Sequence, residues 1–164
     1  HSGLGQSVLG ALNKAALLQQ HNVEAAMQAA LGPLQLQTDI WPSLWQKLAV
    51  NAVINPLTAL HQCKNGELAS SNYSAAIKLL IEEFVQVATL SGQNFSVGAL
   101  HHRVNQVIEQ TADNYSSMQQ DFAKGRPSEL DYITGFLLRQ AAQHQLQLPA
   151  HQAIYQLLSQ KSPR

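Results

Sequence analysis

Past residue 40 the apolar residues recur at three- and four-residue spacing, and most helix breakers fall between the runs, while Pro56 stands inside one. Residues 72–91 put Ala75, Ala76, Leu79, Leu80, Phe84, Val87 and Ala88 on one stripe and end at Gly92. Residues 96–112 turn Val97, Leu100, Val104, Val107 and Ile108 inward. After the breakers Gly125 and Pro127, Ser128-x-x-Asp131 is close to a capping box. It opens a helix to about 144, with Leu130, Ile133, Leu137 and Ala141 on one face. Pro149 starts a last helix ending near Gln160. Runs of β-branched residues are few. A chain of this kind folds as an all-α domain with a small strand fringe, and 164 residues suffice for one sizeable domain.

The first 40 residues are less regular. Residues 1–10, with Gly at 3, 5 and 10, read as an extended or hairpin piece. Gly3-x-Gly5 is not a dinucleotide fingerprint, because Val8 stands where the third glycine belongs. Asn22 caps a helix over 23–31, which Gly32-Pro33 stops. Leu34, Leu36 and Thr38 alternate with Gln35 and Gln37, as in a short edge strand. The opening His1-Ser-Gly-Leu-Gly lacks an initiator Met and a signal-peptide layout, and reads as the middle of a longer protein.

Asp39 or Pro42 opens a long helix from about 41 to 61. Within it Lys47, Asn51 and Asn55 repeat every fourth residue, a step that leaves only about 40° of drift, so the three stack in a row. Leu48, Ala49, Val50, Val53 and Ile54 run between them and can enter a core. Two amides below a cation form either a polar groove for an oxygen-rich ligand or a solvated face, and spacing alone does not separate the two. Pro56 removes a backbone donor and predicts a kink near residues 52–56.

The segment Trp45-Gln-Lys47-Leu-Ala-Val-Asn51-Ala-Val-Ile-Asn55-Pro-Leu-Thr-Ala, followed by Cys63-Lys-Asn65-Gly-Glu-Leu68, resembles the 2-dehydropantoate 2-reductases, or ketopantoate reductases. A second block is similar to the same family: Asn114-Tyr-Ser116-Ser117-Met118-Gln-Gln-Asp121, then Glu129-Leu-Asp131-Tyr132-Ile133-Thr-Gly135-Phe136. The two blocks stand in the family's order and separation, and the resemblance covers essentially the whole chain. It implies a helical C-terminal domain of the 6-phosphogluconate dehydrogenase C-terminal-like type over 13–164. Residues 1–12 would be the end of a Rossmann-type cofactor domain and its crossover. It implies NADPH as cofactor, held mainly by a domain upstream, 2-dehydropantoate as substrate, and it leaves monomer and homodimer both open. It assigns proton donation to Lys47, substrate contacts to Asn51, Asn55, Asn65 and Ser117, and a cofactor contact to Glu129. Asn114 joins the substrate group through a helical face shared with Ser117 three residues on.

The chemistry suits those residue types. A hydride arriving at a ketone leaves alkoxide character on oxygen, which a nearby cation or acid stabilises. A Lys amine can polarise the carbonyl and hand over a proton. Asn amides offer both donors and acceptors, as a substrate with a keto acid at one end and a hydroxyl at the other requires. For Asn65 the plain role of turn former before Gly66 is equally at home, and Glu129 also suits charge compensation at a helix start.

Composition removes other classes. The formal net charge is zero and charged residues make up 12%, which argues against a nucleic-acid or anionic-membrane footprint. No run of 18 apolar residues is present. The single Cys63 forms no internal disulfide and favours a reducing, cytoplasmic setting. His61 with Cys63, and His101 with His102, lack the usual zinc spacing, so no metal is expected. Two other readings stay open: a reductase of the same fold acting on another 2-keto acid, and a non-catalytic helical interaction module.

Overall fold

The computed structural model describes residues 7–31 and 33–161. Gly3, Gly5 and Gly32, to which turns are assigned above, lie outside them. The chain divides into two compact units, His1–Gln46 and Lys47–Arg164.

In the first unit, β1 (Ser7–Leu9) is followed by α1 (Lys14–Leu31) and β2 (Leu34–Leu36). The strands pair in parallel, with Ser7 opposite Leu34 and Leu9 opposite Leu36. A parallel pair cannot close through a tight turn, and here α1 makes the crossover. Of the two readings given for residues 1–10, the described part is the extended one, and the short strand at 34–36 stands where expected. The helix also begins earlier than expected. Asn13 caps it, its Oδ1 accepting from Ala16 N–H at 2.8 Å. Asn22 lies mid-helix and spends its amide on Gln19. The run Lys14-Ala-Ala-Leu-Leu after Asn13 is as good a helix start as the one chosen at 22.

The second unit is all helical. α2 runs Trp41–His61 across the unit boundary, and Asp39 Oδ1 accepts from Trp41 N–H at its start. A short 3-10 helix follows (Asn65–Ala69), then α3 (Ser71–Leu90), α4 (Val97–Gln110), α5 (Ser117–Ala123), α6 (Leu130–Gln143) and α7 (Pro149–Ser159). Ser70, Ser96 and Ser116 cap α3, α4 and α5 by accepting from backbone N–H groups in the first turn. Every residue from 52 to 59 is buried. A helix covered on all sides occupies the middle of its domain, and α2 does so here. It continues without a break through Pro56.

Two stripes keep most of their expected buried residues and lose one large residue each to solvent. α3 buries Ile77, Leu80, Ile81, Phe84, Val87 and Ala88, while Leu79 is exposed. α4 buries Leu100, Val104 and Ile108 and exposes Val97. Both helices carry apolar residues on adjoining faces, so several rotations satisfy the periodicity and packing chooses among them. The capping box at Ser128 does not form. Ser128 Oγ accepts from Leu130 N–H at 3.3 Å, and Asp131 instead accepts from the Tyr155 hydroxyl on α7.

Candidate functional site

Lys47, Asn51 and Asn55 descend along one face of α2. Lys47 is exposed, Asn51 half-buried and Asn55 only 6% exposed. The row thus runs from solvent into the interior of the domain. Among the described residues, Lys47 pairs with no carboxylate, and the side-chain amides of Asn51 and Asn55 bond no protein group. Amides without a protein partner keep both donors and an acceptor for a ligand.

The second block reaches α2 through a buried contact. Thr58 Oγ1 and Ser116 Oγ stand 2.7 Å apart, and both residues are buried. Ser116, the nearest neighbour that could be confused with the site serine, is thus an interior cap. Ser117, the first residue of α5, is exposed, and its hydroxyl makes no protein hydrogen bond among the described residues.

Asn65 and Asn114 meet through the backbone. Asn65 N–H donates to the Asn114 carbonyl at 2.9 Å, and Gly66 N–H to the Ala112 carbonyl at 3.0 Å. Asn114 is not helical: it lies in the irregular link between α4 and α5, so the shared helical face with Ser117 is corrected. What holds Asn114 is this backbone junction together with its own N–H bond to the Thr111 carbonyl. Asn65 opens the 3-10 helix rather than a simple turn. It is 7% exposed and gives its amide N–H to Thr111 Oγ1 at 2.9 Å. Thr111 Oγ1 donates to the Val107 carbonyl, so it must accept from Asn65, which fixes the orientation of the amide. Asn65 Oδ1 is left buried without a hydrogen-bond partner.

Gly66 is required by proximity. A Cβ there would stand 2.7 Å from Ala112 Cβ and 2.9 Å from the Ala112 carbonyl oxygen. Gly66→Ala should therefore push the Asn65 and Asn114 segments apart and destabilise the domain by about 1–3 kcal/mol, as overpacking does. Chemical denaturation measures the loss, and unchanged stability would show that the junction yields freely.

Glu129 sits at the N-terminus of α6, exposed and without an ion pair among the described residues. No hydrogen bond ties it to the Asn65–Asn114–Ser117 group. Cys63 is buried, and burial pushes its thiol up, with the Glu67 charge adding to the effect, so it stays a neutral packing group. No group of three His, Cys, Asp or Glu side chains that could hold a metal occurs among the described residues.

Sequence reasoning passed over three residues: Thr58, Ser116 as a link, and Glu83. Glu83 Oε1 accepts from Ala150 N–H at 2.7 Å, and Oε2 from His151 N–H at 3.0 Å and from His151 Nδ1 at 2.8 Å. An α3 carboxylate therefore caps α7. Burial pushes this carboxyl up, but the bonds from the imidazole and the two backbone N–H groups outweigh it and hold Glu83 below the usual carboxylate range. The signal was present: an acid spaced with Leu80 and Val87 on the inward face of α3.

Comparison with known proteins follows the same residues. Residues 39–162 match the family described as Ketopantoate reductase PanE/ApbA C terminal. The chain is 39% identical over 156 residues to the 2-dehydropantoate 2-reductase of Vibrio cholerae, covering 95% of this chain and 52% of that protein. It superposes on the probable 2-dehydropantoate 2-reductase of Bacillus subtilis with a TM-score of 0.79 at 33% identity, covering 99% of this chain and 54% of that one. A dimeric ketopantoate reductase from Staphylococcus aureus gives 0.80 at 26% identity, over 94% of this chain and 53% of that one. The chain thus spans about half the length of the relatives it matches.

Proposed function

This chain belongs to the ketopantoate reductase family, and we propose that it is the substrate-binding, proton-donating half of a 2-dehydropantoate 2-reductase. That enzyme reduces 2-dehydropantoate to pantoate with NADPH, on the route to pantothenate and coenzyme A. The observation that carries the reading is the α2 row, where Lys47 stands above the unpartnered amide of nearly buried Asn55.

In this reading residues 13–164 form a helical domain of the 6-phosphogluconate dehydrogenase C-terminal-like type, and residues 1–12 close a Rossmann-type cofactor domain. The parallel pairing of β1 with β2 across a helix is in keeping with such a sheet. Bound NADPH supplies a hydride to the keto carbon. Lys47 polarises the carbonyl and gives the proton that the oxygen gains. Asn51 and Asn55 hold the keto acid by hydrogen bonds, and Asn65, Asn114 and Ser117 complete its contacts. The Oδ1 of Asn65 suits a hydroxyl donor, and the Ser117 hydroxyl suits a carboxylate. Glu129 offers an unpaired carboxylate that fits the hydroxyl or amide donors of the nicotinamide half of the cofactor. A homodimer, like the Staphylococcus aureus enzyme, and a cytoplasmic setting complete the proposal. No described helix is long and apolar enough to cross a membrane.

Spectrophotometric assay of NADPH oxidation tests this. A full-length polypeptide that joins this sequence to a cofactor half should turn over 2-dehydropantoate. The 164-residue chain alone should not, because hydride transfer needs donor and acceptor held together. Absence of turnover in the full-length protein would remove the proposed activity. Turnover by the isolated chain would overturn the division of labour.

A further inference from the structure

Each hydroxyl of the Thr58–Ser116 pair has one hydrogen to give, so the surrounding bonds fix its direction. The carbonyl oxygens of Ile54 and Asn55 lie 2.8 and 3.1 Å from Thr58 Oγ1 and can only accept, so Thr58 donates to them. Ser116 Oγ accepts from Gln119 N–H at 3.0 Å and keeps its own hydrogen for Thr58 Oγ1. A one-way chain therefore runs from the first turn of α5, through two buried hydroxyls, to the carbonyls just before Pro56 in α2. Its two ends adjoin two proposed substrate contacts: Asn55 owns one accepting carbonyl, and Ser117 follows Ser116 in sequence.

Neither of those contact side chains is oriented by a protein hydrogen bond of its own among the described residues, so backbone placement sets where they stand. Two hydrogen bonds join these segments: this chain, which reaches the Asn55 carbonyl itself, and the Gln119 Nε2 bond to Gln62 Oε1 at 3.2 Å, which lies seven residues further along, just past the end of α2. Capping of α5 accounts for the Ser116 hydroxyl, but an apolar residue of the same shape at 58 would fill the space as well, so neither capping nor core packing calls for the Thr58 hydroxyl.

We propose that the Thr58–Ser116 hydroxyl pair is a positioning element that sets Asn55 and Ser117 at the spacing the keto acid requires, Thr58 itself touching no substrate. The proposal rests on the reading of Asn55 and Ser117 as substrate contacts. Thr58→Val keeps the shape and removes the oxygen. In the full-length reductase it should raise KM for 2-dehydropantoate about tenfold, the loss of one buried hydrogen bond, and leave KM for NADPH at the wild-type value. Thr58→Ser restores the oxygen and should restore KM. Combined with Ser117→Ala, Thr58→Val should add little, since both changes act through one contact. Ser116→Ala cuts the same chain from the α5 side and carries the test should Thr58→Val fail to fold. A Thr58→Val enzyme with a lowered melting temperature but wild-type KM overturns the proposal, as does a Thr58→Ser enzyme equally impaired or full additivity with Ser117→Ala. Ser117→Ala with wild-type KM instead removes the contact reading on which the proposal stands.

Discussion

Replacing Lys47 by Ala lowers kcat for 2-dehydropantoate at least roughly 10²-fold in the full-length reductase, the range for loss of a positioned proton donor. The reasoning starts from the oxygen. As hydride reaches the carbonyl carbon, negative charge gathers on oxygen, and a donor aimed there counts more in the transition state than in the ground state. Lys47 is exposed on α2, with no carboxylate of the described residues to occupy it. Its amine is thus free to meet a ligand seated against Asn51 and Asn55. Because the interaction strengthens on the way to the transition state, kcat and kcat/KM should fall together. Lys47→Arg separates charge from proton transfer. A guanidinium stays charged but gives up a proton poorly, so kcat should remain low. A near-normal kcat in Lys47→Arg would assign charge alone to this position. A near-normal kcat in Lys47→Ala would falsify the assignment outright and leave polarisation to the amides.

The parts of the site legible in the sequence are those that lie along one element. Lys47, Asn51 and Asn55 share a helix face because helical geometry requires it, and only their gradient of burial needed coordinates. Asn65 and Asn114 met differently. Their junction is a backbone hydrogen bond between two non-neighbouring segments, made possible by Gly66 lying against Ala112. Periodicity carries no information about such a contact. A helical face for Asn114 is the nearest that spacing comes, and the residue lies instead in the irregular link between α4 and α5. The bond of Ser116 to Thr58 joins residues 58 positions apart, and no local pattern signals it.

The fold follows the same division. Helix existence was legible because apolar spacing and serine or proline starts agree, as at Ser70, Ser96 and Pro149. Which way a helix turns was less so. Leu79 and Ile77 are equally apolar, and only packing puts Ile77 inside. At the N-terminal end the expected cap of α1 is Asn22 and the observed one is Asn13. Asn13 caps because Lys14 through Leu31 all propagate the helix, which leaves Asn22 mid-helix with nothing to cap. The parallel pairing of β1 with β2 depends on that full-length crossover, which a helix starting at 23 would have shortened.

Glu83→Ala should be the most damaging substitution for stability, lowering it by about 3–5 kcal/mol, the cost of leaving the three donors that this carboxylate accepts from without an acceptor. At this chain length that corresponds to a melting temperature lower by roughly 10 °C or more. The carboxylate accepts from two backbone N–H groups at the start of α7 and from His151 Nδ1, and His151 is fully buried. Alanine leaves three donors unpaired where water has little access. Glu83→Gln keeps one acceptor oxygen for Ala150 but sets an NH2 against the His151 backbone N–H, so it should recover only part of the loss. The effect has a pH signature. The folded-state pKa of Glu83 lies below its ordinary value of 4.5. Its ionised form therefore favours folding above about pH 4.5, and the contribution disappears as pH falls through the lower folded value. Wild-type stability should fall across that acid range more steeply than that of Glu83→Ala. Denaturation at pH 7 and in the acid range measures both quantities. Glu83 caps α7 and touches no proposed ligand contact, so kcat per folded molecule should hold at the wild-type value. A Glu83→Ala protein as stable as wild type at pH 7 would mean that α7 recruits other acceptors for its first turn. Parallel acid-side slopes in the two proteins would remove Glu83 as a source of the pH dependence.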